Sequence, residues 1–195
     1  VDGPAAPALL HEGAEGIIVL GSHEREELPV GSSALQVPAH ARGPVLVVRA
    51  PGTPTDGRVV VGVDDSPGSQ AALEFAFEEA ALRGWQVEAV SGCWEPGGVA
   101  GTEIALFADR EKLEQVCGAR LQRAVAPWLV KYPQVATRTS LVLEEPRRAL
   151  LGAAKGADMV VVGARGERGP NLQPLGATAM AMLQMAPCTV AVVHP

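Results

Sequence analysis

The sequence predicts an α/β protein built on a doubly wound, open parallel sheet of five strands, and three observations favour that class. Short β-branched runs alternate with longer helix-like segments over residues 58–195. The runs are apolar at consecutive positions, as strands buried on both faces require. Several of them end in turns rich in Gly, Asp or Pro that lead into a helix. We therefore expect helices on both faces of the sheet.

The first strand of this unit is expected at Arg58–Val63, RVVVGV. Ser66 fits the N-cap and Pro67 the first position of a helix that ends at Gly84. A long helix is expected from Thr102 to about Tyr132, because its apolar residues recur at spacings of three and four. The other elements are strands at Gln86–Cys93, Val135–Glu144, Met159–Val162 and Thr189–Val193, and helices at Pro146–Lys155 and Ala177–Ala186.

A glycine-punctuated loop, Gly163–Thr178, joins the fourth strand to the last helix. In such a unit the loop lies at the carboxyl end of a parallel strand, and the N–H groups of the next helix point toward it. Anions bind at such helix starts. The first hypothesis is therefore a phosphate site.

The N-terminal segment repeats the end of this unit. Gly31–Arg49 aligns with Gly176–His194 without a gap, and the run that ends at Gly21 matches the run that ends at Gly163. We interpret residues 1–49 as the C-terminal part of a first domain, 50–57 as a linker and 58–195 as a complete domain. Strands of a parallel sheet need cover on both faces, so we expect residues 1–49 to dock on something. A cleaved chain, an incomplete sequence and packing on the second unit stay open as explanations.

Composition excludes several classes of function. A formal charge of −6 and a pI near 5.2 argue against a nucleic-acid surface. The sequence contains no apolar run of membrane-spanning length and no signal-peptide pattern, so we expect a cytoplasmic protein with no membrane partner. The three cysteines, Cys93, Cys117 and Cys188, are expected to be buried free thiols. No metal-ligand spacing and no catalytic acid–base pair is recognised.

Three motifs occur in order: VGVDDSPGS after the first strand, ADMVVVGARG at the fourth, and Gly163-x2-Gly166-x9-Gly176, followed by APCTVAVV. Together they resemble the universal stress protein family, in its tandem-domain form with an incomplete first domain. The resemblance implies the strand order 3-2-1-4-5. In the ATP-binding branch it also implies ATP bound between the first and fourth strands. A divalent ion, Mg²⁺ or Mn²⁺, can bind there through the phosphates of ATP. The positions that it implies as nucleotide-binding are Val63, Asp64, Gly163, Arg165, Gly166, Gly176, Ala177 and Thr178.

Ala177 departs from the family pattern, which has Ser or Thr after the last glycine. Losing one hydroxyl bond to a charged oxygen costs about 1.5–3 kcal/mol. We therefore expect weakened binding, with the Ala177 and Thr178 amides retained. In the first copy Glu24 stands at the second glycine position and the arm to Gly31 is shorter, so that copy is expected to hold no nucleotide.

The resulting hypothesis is a stress-associated ATP-binding regulatory module without an efficient catalytic apparatus, at most a slow ATPase. The alternative is an interaction or dimerisation module of the same fold with an empty pocket. Because dimers of the family join through their last strands, the resemblance further implies that Pro44–Val48 pairs antiparallel with Val190–Val193. The two copies would then form a pseudo-dimer within the chain, and a homodimer is a further option.

Overall fold

A computed structural model describes residues 5–14, 16–21, 32–49, 57–93, 110–166 and 174–195. The helices in these ranges are α1 Ala5–Glu12, α2 Ser33–His40, α3 Pro67–Arg83, α4 Arg110–Lys131, α5 Pro146–Ala153 and α6 Ala177–Met185. The strands are β1 Ile18–Gly21, β2 Val45–Val48, β3 Arg58–Gly62, β4 Gln86–Gly92, β5 Thr137–Val142, β6 Met159–Gly163 and β7 Thr189–Val193. The expected start of the long helix, Thr102–Asp109, lies outside the described residues.

The seven strands of the described ranges belong to one sheet, in the order β1-β2-β7-β6-β3-β4-β5. The prediction of a five-stranded sheet, and with it the predicted order of the whole sheet, is therefore wrong. The sheet is larger because β2 adds antiparallel to β7, while the other neighbours pair in parallel. If the five strands of residues 58–193 are numbered 1 to 5 along the chain, their order across the sheet is 3-2-1-4-5, which corresponds to β5-β4-β3-β6-β7.

Helices cover both faces of the central strands, as the β-branched runs require. On one face, α5 and α6 pack on Val60, Val160 and Val190. On the other, α3 and α4 pack on Val61 and Val161 through a cluster that includes Leu73, Phe77 and Leu121. Each central valine is fully buried, so consecutive residues of one strand serve two cores. This explains why these strands are apolar without alternation.

Strands β2 and β7 pair antiparallel, as predicted for the segments Pro44–Val48 and Val190–Val193. Val45 lies opposite Val192, Leu46 opposite Ala191 and Val47 opposite Val190. Under the alignment of Gly31–Arg49 with Gly176–His194, Leu46 corresponds to Ala191, so a pseudo-twofold axis passes between these two residues. Val45 and Val47 are fully buried there. Residues 32–49 thus pack against β7 and the end of α6, which is one of the explanations that the sequence left open.

Two side chains at the ends of these strands cap the opposite copy's helix. The Arg49 guanidinium donates to the carbonyls of Leu183 and Ala186 at the end of α6. His194, which aligns with Arg49, lies with its Nε2 3.1 Å from the carbonyl oxygen of Pro38 in α2. Burial lowers the pKa of His194, and the Pro38 contact partly offsets this. Each of these two side chains thus contacts the helix that precedes the other strand.

The Arg49→Ala variant should be less stable to urea by about 1–2 kcal/mol, because two helix-end carbonyls lose a charged donor. The exposed Arg42 lies near Arg49 in the same segment, and Arg42→Ala should stay within about 0.5 kcal/mol of the parent. Equal losses for the two variants would show that the cap has no energetic role.

The cysteines differ from the expectation of three free thiols. Cys93, just past β4, and Cys117 in α4 form a disulfide with a Cα–Cα distance of 6.6 Å. Cys188 is free and buried, and burial raises its pKa to about 11. The sequence separation of Cys93 and Cys117 gives no hint of the pairing, which depends on how α4 packs beside β4.

Candidate functional site

The candidate site lies where β3 and β6, neighbours in the sheet, end at the same edge. This position is the topological switch point of a doubly wound sheet, since the chain continues from β3 to β4 on one side and from β6 to β7 on the other. Ligands of such folds bind outside the carboxyl ends of the strands at this point. Among the predicted site residues, Val63 and Asp64 follow β3, and Gly163 ends β6.

The turn after β3 holds the Asp64 carboxylate in place. Asp64 Oδ1 accepts hydrogen bonds from the Ser66 hydroxyl at 2.6 Å and the Ser66 amide at 3.2 Å. Asp65 has a φ of 67°, which is uncommon for a residue other than glycine and clusters at functional turns. Ser66 Oγ in turn accepts from the Ser69 amide at 3.1 Å. Ser66 therefore caps α3, as predicted, and also orients Asp64.

The start of α3 packs directly against the glycine loop. A Cβ on Gly163 would lie 2.6 Å from the backbone carbon of Gly68, and a Cβ on Gly68 would lie 2.5 Å from the Arg165 carbonyl oxygen. Both positions therefore require glycine for lack of space. Gly68 was not predicted as a site residue, although it lies within the motif VGVDDSPGS and at a helix start, where glycine is a weak helix former.

At Gly166 the loop after β6 meets the turn after β3. A Cβ on Gly166 would overlap Asp64 Oδ2, so the carboxylate reaches the loop backbone. The Gly176 amide donates to the Ala164 carbonyl at 2.8 Å, which closes the loop on itself although residues 167–173 lie outside the described residues. Asp64, Arg165, Gly166 and Ala177 are all solvent-exposed, so the site is an open crevice.

The helix that follows the loop begins at Ala177, with Gly176 as the N-cap at φ −72° and ψ 160°. The N–H groups in the first turn of a helix have no intrahelical acceptor and favour anions. Ala177 offers no hydroxyl to add to them, and Thr178 is half-buried. Arg165 lies near His194 and lowers its pKa further, which places positive charge at this end of the loop.

The described residues contain no group of three or more His, Cys, Asp or Glu that could hold a metal ion. None of their helices has both the length and the apolar character needed to cross a lipid bilayer.

The Gly163→Ala variant should lose about 1–3 kcal/mol of stability, because its methyl group would press on the Gly68 backbone. The control is Gly152→Ala in α5, where a Cβ would meet nothing within 4 Å. That variant should be neutral or up to about 1 kcal/mol more stable. Urea unfolding followed by circular dichroism measures both, and similar values for the two would contradict the contact.

The sheet order and the crevice define a doubly wound α/β protein with glycines of two motifs at its switch point. The sequence profile of the Universal stress protein family matches residues 57–194. The chain belongs to this family.

Individual relatives support the same family assignment. A universal stress protein of Mycobacterium tuberculosis is 34% identical over 169 residues, which cover 83% of this chain and 53% of the relative. One of Mycolicibacterium smegmatis is 30% identical over 198 residues, covering 100% of this chain and 64% of the relative. The chain thus spans about half to two thirds of the length of these relatives.

Two solved structures show the same fold. The universal stress protein UspA from Lactobacillus plantarum has a TM-score of 0.59 at 21% identity, covering 72% of this chain and 99% of its own. A universal stress protein from Archaeoglobus fulgidus has a TM-score of 0.63 at 18% identity, covering 97% of this chain and 64% of its own. The match to almost the whole chain includes the N-terminal strands.

Proposed function

We propose that this chain is an ATP-binding regulatory module of the universal stress protein family, with the nucleotide at the ends of β3 and β6. The contact of Asp64 with the Gly166 backbone carries this proposal, since it joins the two predicted motifs at one crevice. Each of the eight predicted positions lies at that crevice or at the helix start beside it. The exposed Arg165 and the first turn of α6 supply positive charge.

In this proposal each residue has a defined role. The backbone of Gly163, Gly166 and Gly176 wraps the phosphates, because no side chain obstructs close approach. The amides of Ala177 and Thr178 donate to phosphate oxygens. Asp64, held by Ser66, lies just past β3, and its carboxylate would accept a hydrogen bond from a hydroxyl of the nucleoside.

We propose that the chain binds ATP without hydrolysing it rapidly. Charged phosphates would draw the loop toward the N-terminus of α6, so the nucleotide would favour one arrangement of the loop and change the surface offered to partners. A divalent cation, where one participates, would be held through the phosphates.

We also propose that residues 1–49 are the C-terminal part of a first domain of the same fold. The strand registers support this. Ile18 lies opposite Val45 and Gly21 opposite Val48, and the aligned pairs Val160 with Val190 and Gly163 with Val193 show the same register. The β2–β7 junction would then be a dimer-like contact within one chain. The first copy's loop, with Glu24 at a glycine position, would hold no nucleotide.

The second candidate is an interaction module with an empty pocket, and Ala177 is the observation that favours it, because the phosphate site lacks a hydroxyl there. Isothermal titration with ATP and magnesium separates the two. We expect saturable binding that Gly166→Val abolishes, since its Cβ would overlap the Asp64 carboxylate. Gly152→Ala is the control. No binding at millimolar ATP would leave the interaction module as the function.

A further inference from the structure

The cysteine pair links two elements at the edge of the sheet that carries the candidate site. Cys93 follows β4, and Cys117 lies in the second turn of α4. The Cys93 amide donates to the Val142 carbonyl of β5 at 2.9 Å. The Val63 amide, just past β3, donates to the Val90 carbonyl of β4, also at 2.9 Å. The disulfide therefore joins α4 to the carboxyl end of β4, the strand next to β3.

The disulfide lies apart from the apolar clusters that hold the fold. These clusters cover the two faces of the sheet, and neither of them contains Cys93 or Cys117. Val59, Val60 and Val61 of β3 are fully buried between them. Disulfides that are essential to a fold are typical of small domains without a sufficient core. We therefore expect the chain to stay folded when this bond is broken.

Helix α4 is held to the protein in different ways before and after Cys117. After it, Leu121 and Val125 belong to the apolar cluster that α4 shares with α3. Trp128 then stacks with Phe77 of α3 at 6.2 Å between the ring centroids. Before it, the disulfide ties the first two turns to the end of β4. The bond therefore matters most for the start of the helix.

A weak point separates the two parts of α4. Gly118 directly follows Cys117 in the helix interior, where glycine is a poor helix former because of its backbone freedom. A Cβ at this position would lie 3.9 Å from Leu141 Cδ2, which is an ordinary contact distance, so packing does not require glycine there. Loss of the disulfide can thus loosen the first two turns without disturbing the rest of the helix.

The two sulfurs differ in their access to solvent. Cys93 is half-buried, whereas Cys117 is 9% exposed. Thiol–disulfide exchange begins with attack on one sulfur of the bond, and access decides which one. Cys93 is therefore the sulfur that a reductant reaches, and in the reduced protein it is the thiol that an oxidant reaches first. Cys117 is the partner thiol that α4 holds beside it.

We propose that Cys93 and Cys117 form a reversible redox site, in which the disulfide holds the first two turns of α4 on the sheet and the dithiol releases them. A peroxide oxidises the pair in two steps. The Cys93 thiolate attacks one peroxide oxygen, an S–O bond forms, and the O–O bond breaks. The Cys117 thiolate then attacks the Cys93 sulfur, so that the S–S bond forms and the S–O bond breaks. With hydrogen peroxide, the sulfurs lose two electrons and both oxygens leave as water with the two thiol protons.

A dithiol reductant reverses the reaction. Its thiolate attacks the Cys93 sulfur, the S–S bond breaks, and Cys117 leaves as a thiolate that takes up a proton. The second thiol of the reductant then displaces Cys93 and closes the reductant's own disulfide. The proposal rests on the paired cysteines and not on nucleotide binding, so a failed ATP titration leaves it standing.

The test follows α4 in the folded chain. Protein oxidised with a stoichiometric amount of hydrogen peroxide is compared with protein reduced by dithiothreitol, both without urea. Alkylation and peptide mass mapping should find Cys93 joined to Cys117 in the first sample and both alkylated in the second. Amide hydrogen exchange of residues 111–117 should be at least about tenfold faster in the reduced protein. Residues 121–128 should exchange at the same rate in both samples.

Matched cysteine variants make the result specific. Cys93→Ser removes the disulfide at the more accessible position, and Cys188→Ala removes the free, buried cysteine. In Cys93→Ser, residues 111–117 should exchange at the fast rate with or without dithiothreitol. Cys188→Ala should retain the full difference between the oxidised and the reduced protein.

Several results would overturn the proposal. One is a disulfide that dithiothreitol breaks only after unfolding in urea, and another is exchange at residues 111–117 that is the same in both redox states. Oxidation that joins two chains, instead of Cys93 to Cys117, would also contradict it. So would loss of cooperative urea unfolding on reduction, because the whole fold would then depend on the bond.

Discussion

The Glu88→Ala variant should unfold with about 3–5 kcal/mol less free energy than the parent, the cost of leaving a buried charge without its partner. The Glu88 side chain is 7% exposed and lies in β4 between two flanking strands. It pairs with Arg58 of β3 at 2.5 Å and with Arg138 of β5 at 2.7 Å, and Ser140 donates to it at 2.8 Å. Removing the carboxylate leaves the Arg58 guanidinium, itself only 18% exposed, without this charge.

The same network predicts the pH dependence. Burial alone would raise the pKa of the Glu88 carboxyl, but hydrogen bonds from Arg138, Ser140 and Arg58 outweigh burial and lower that pKa. A carboxyl with a lowered pKa stabilises the folded state above its unfolded pKa of about 4.3. This stabilisation disappears as the pH falls through the folded pKa. The difference between parent and Glu88→Ala should therefore be constant near neutral pH and shrink in acid.

Two further variants separate charge from packing. Glu88→Gln keeps the shape and some hydrogen bonds and should lose less stability than Glu88→Ala. Glu74 forms a surface pair with Lys131, and both side chains are 51% exposed, so Glu74→Ala should show no measurable change. Urea unfolding at several pH values measures all three. If Glu74→Ala lost as much free energy of unfolding as Glu88→Ala, burial of the Glu88 ion pair would not explain its larger contribution to stability.

Local patterns were sufficient to predict most of the fold. Arg58–Gly62 and Met159–Gly163 are strands because consecutive valines suit burial on both faces, and Ser66 with Pro67 starts α3 as cap chemistry dictates. The internal repeat, together with the family resemblance, predicted the contact of β2 with β7. That contact made the sheet larger than the five strands expected, because β1 and β2 join the same sheet beyond β7.

Interactions that depend on packing could not be predicted. Glu88 looks like a polar interruption of a strand until β3 and β5 bring Arg58 and Arg138 to it. The same holds for Cys93 with Cys117 and for the approach of Gly68 to Gly163. At the candidate site, the sequence predicted which residues gather at the crevice, but not that Ser66 orients Asp64.

Restoring a hydroxyl at position 177 should strengthen ATP binding by about 10- to 100-fold, which corresponds to one hydrogen bond to a charged oxygen of about 1.5–3 kcal/mol. Ala177 is the first residue of α6 and is exposed beside the N-cap Gly176. A serine there would place its oxygen at the helix N-terminus, where the N–H groups already favour an anion. The Ala177→Ser variant therefore adds a donor without altering the loop.

The control must carry the same change of side chain where no phosphate is expected. Ala126 is an exposed helical alanine in α4, so Ala126→Ser reproduces the effect on helix propensity and should leave the affinity for ATP unchanged. Isothermal titration of parent, Ala177→Ser and Ala126→Ser with ATP and magnesium gives the three dissociation constants.

Thr178 decides how large the gain becomes. If its hydroxyl substitutes for the missing one, Thr178→Val should weaken binding by about tenfold in the parent but have little effect in the Ala177→Ser background. If Thr178 has no such role, its substitution is silent in both backgrounds and the gain from the new serine reaches the upper end of the range. If Ala177→Ser binds ATP no better than the parent and Thr178→Val is silent as well, the phosphates do not lie at the start of α6, and the nucleotide site proposed between β3 and β6 would have to be abandoned.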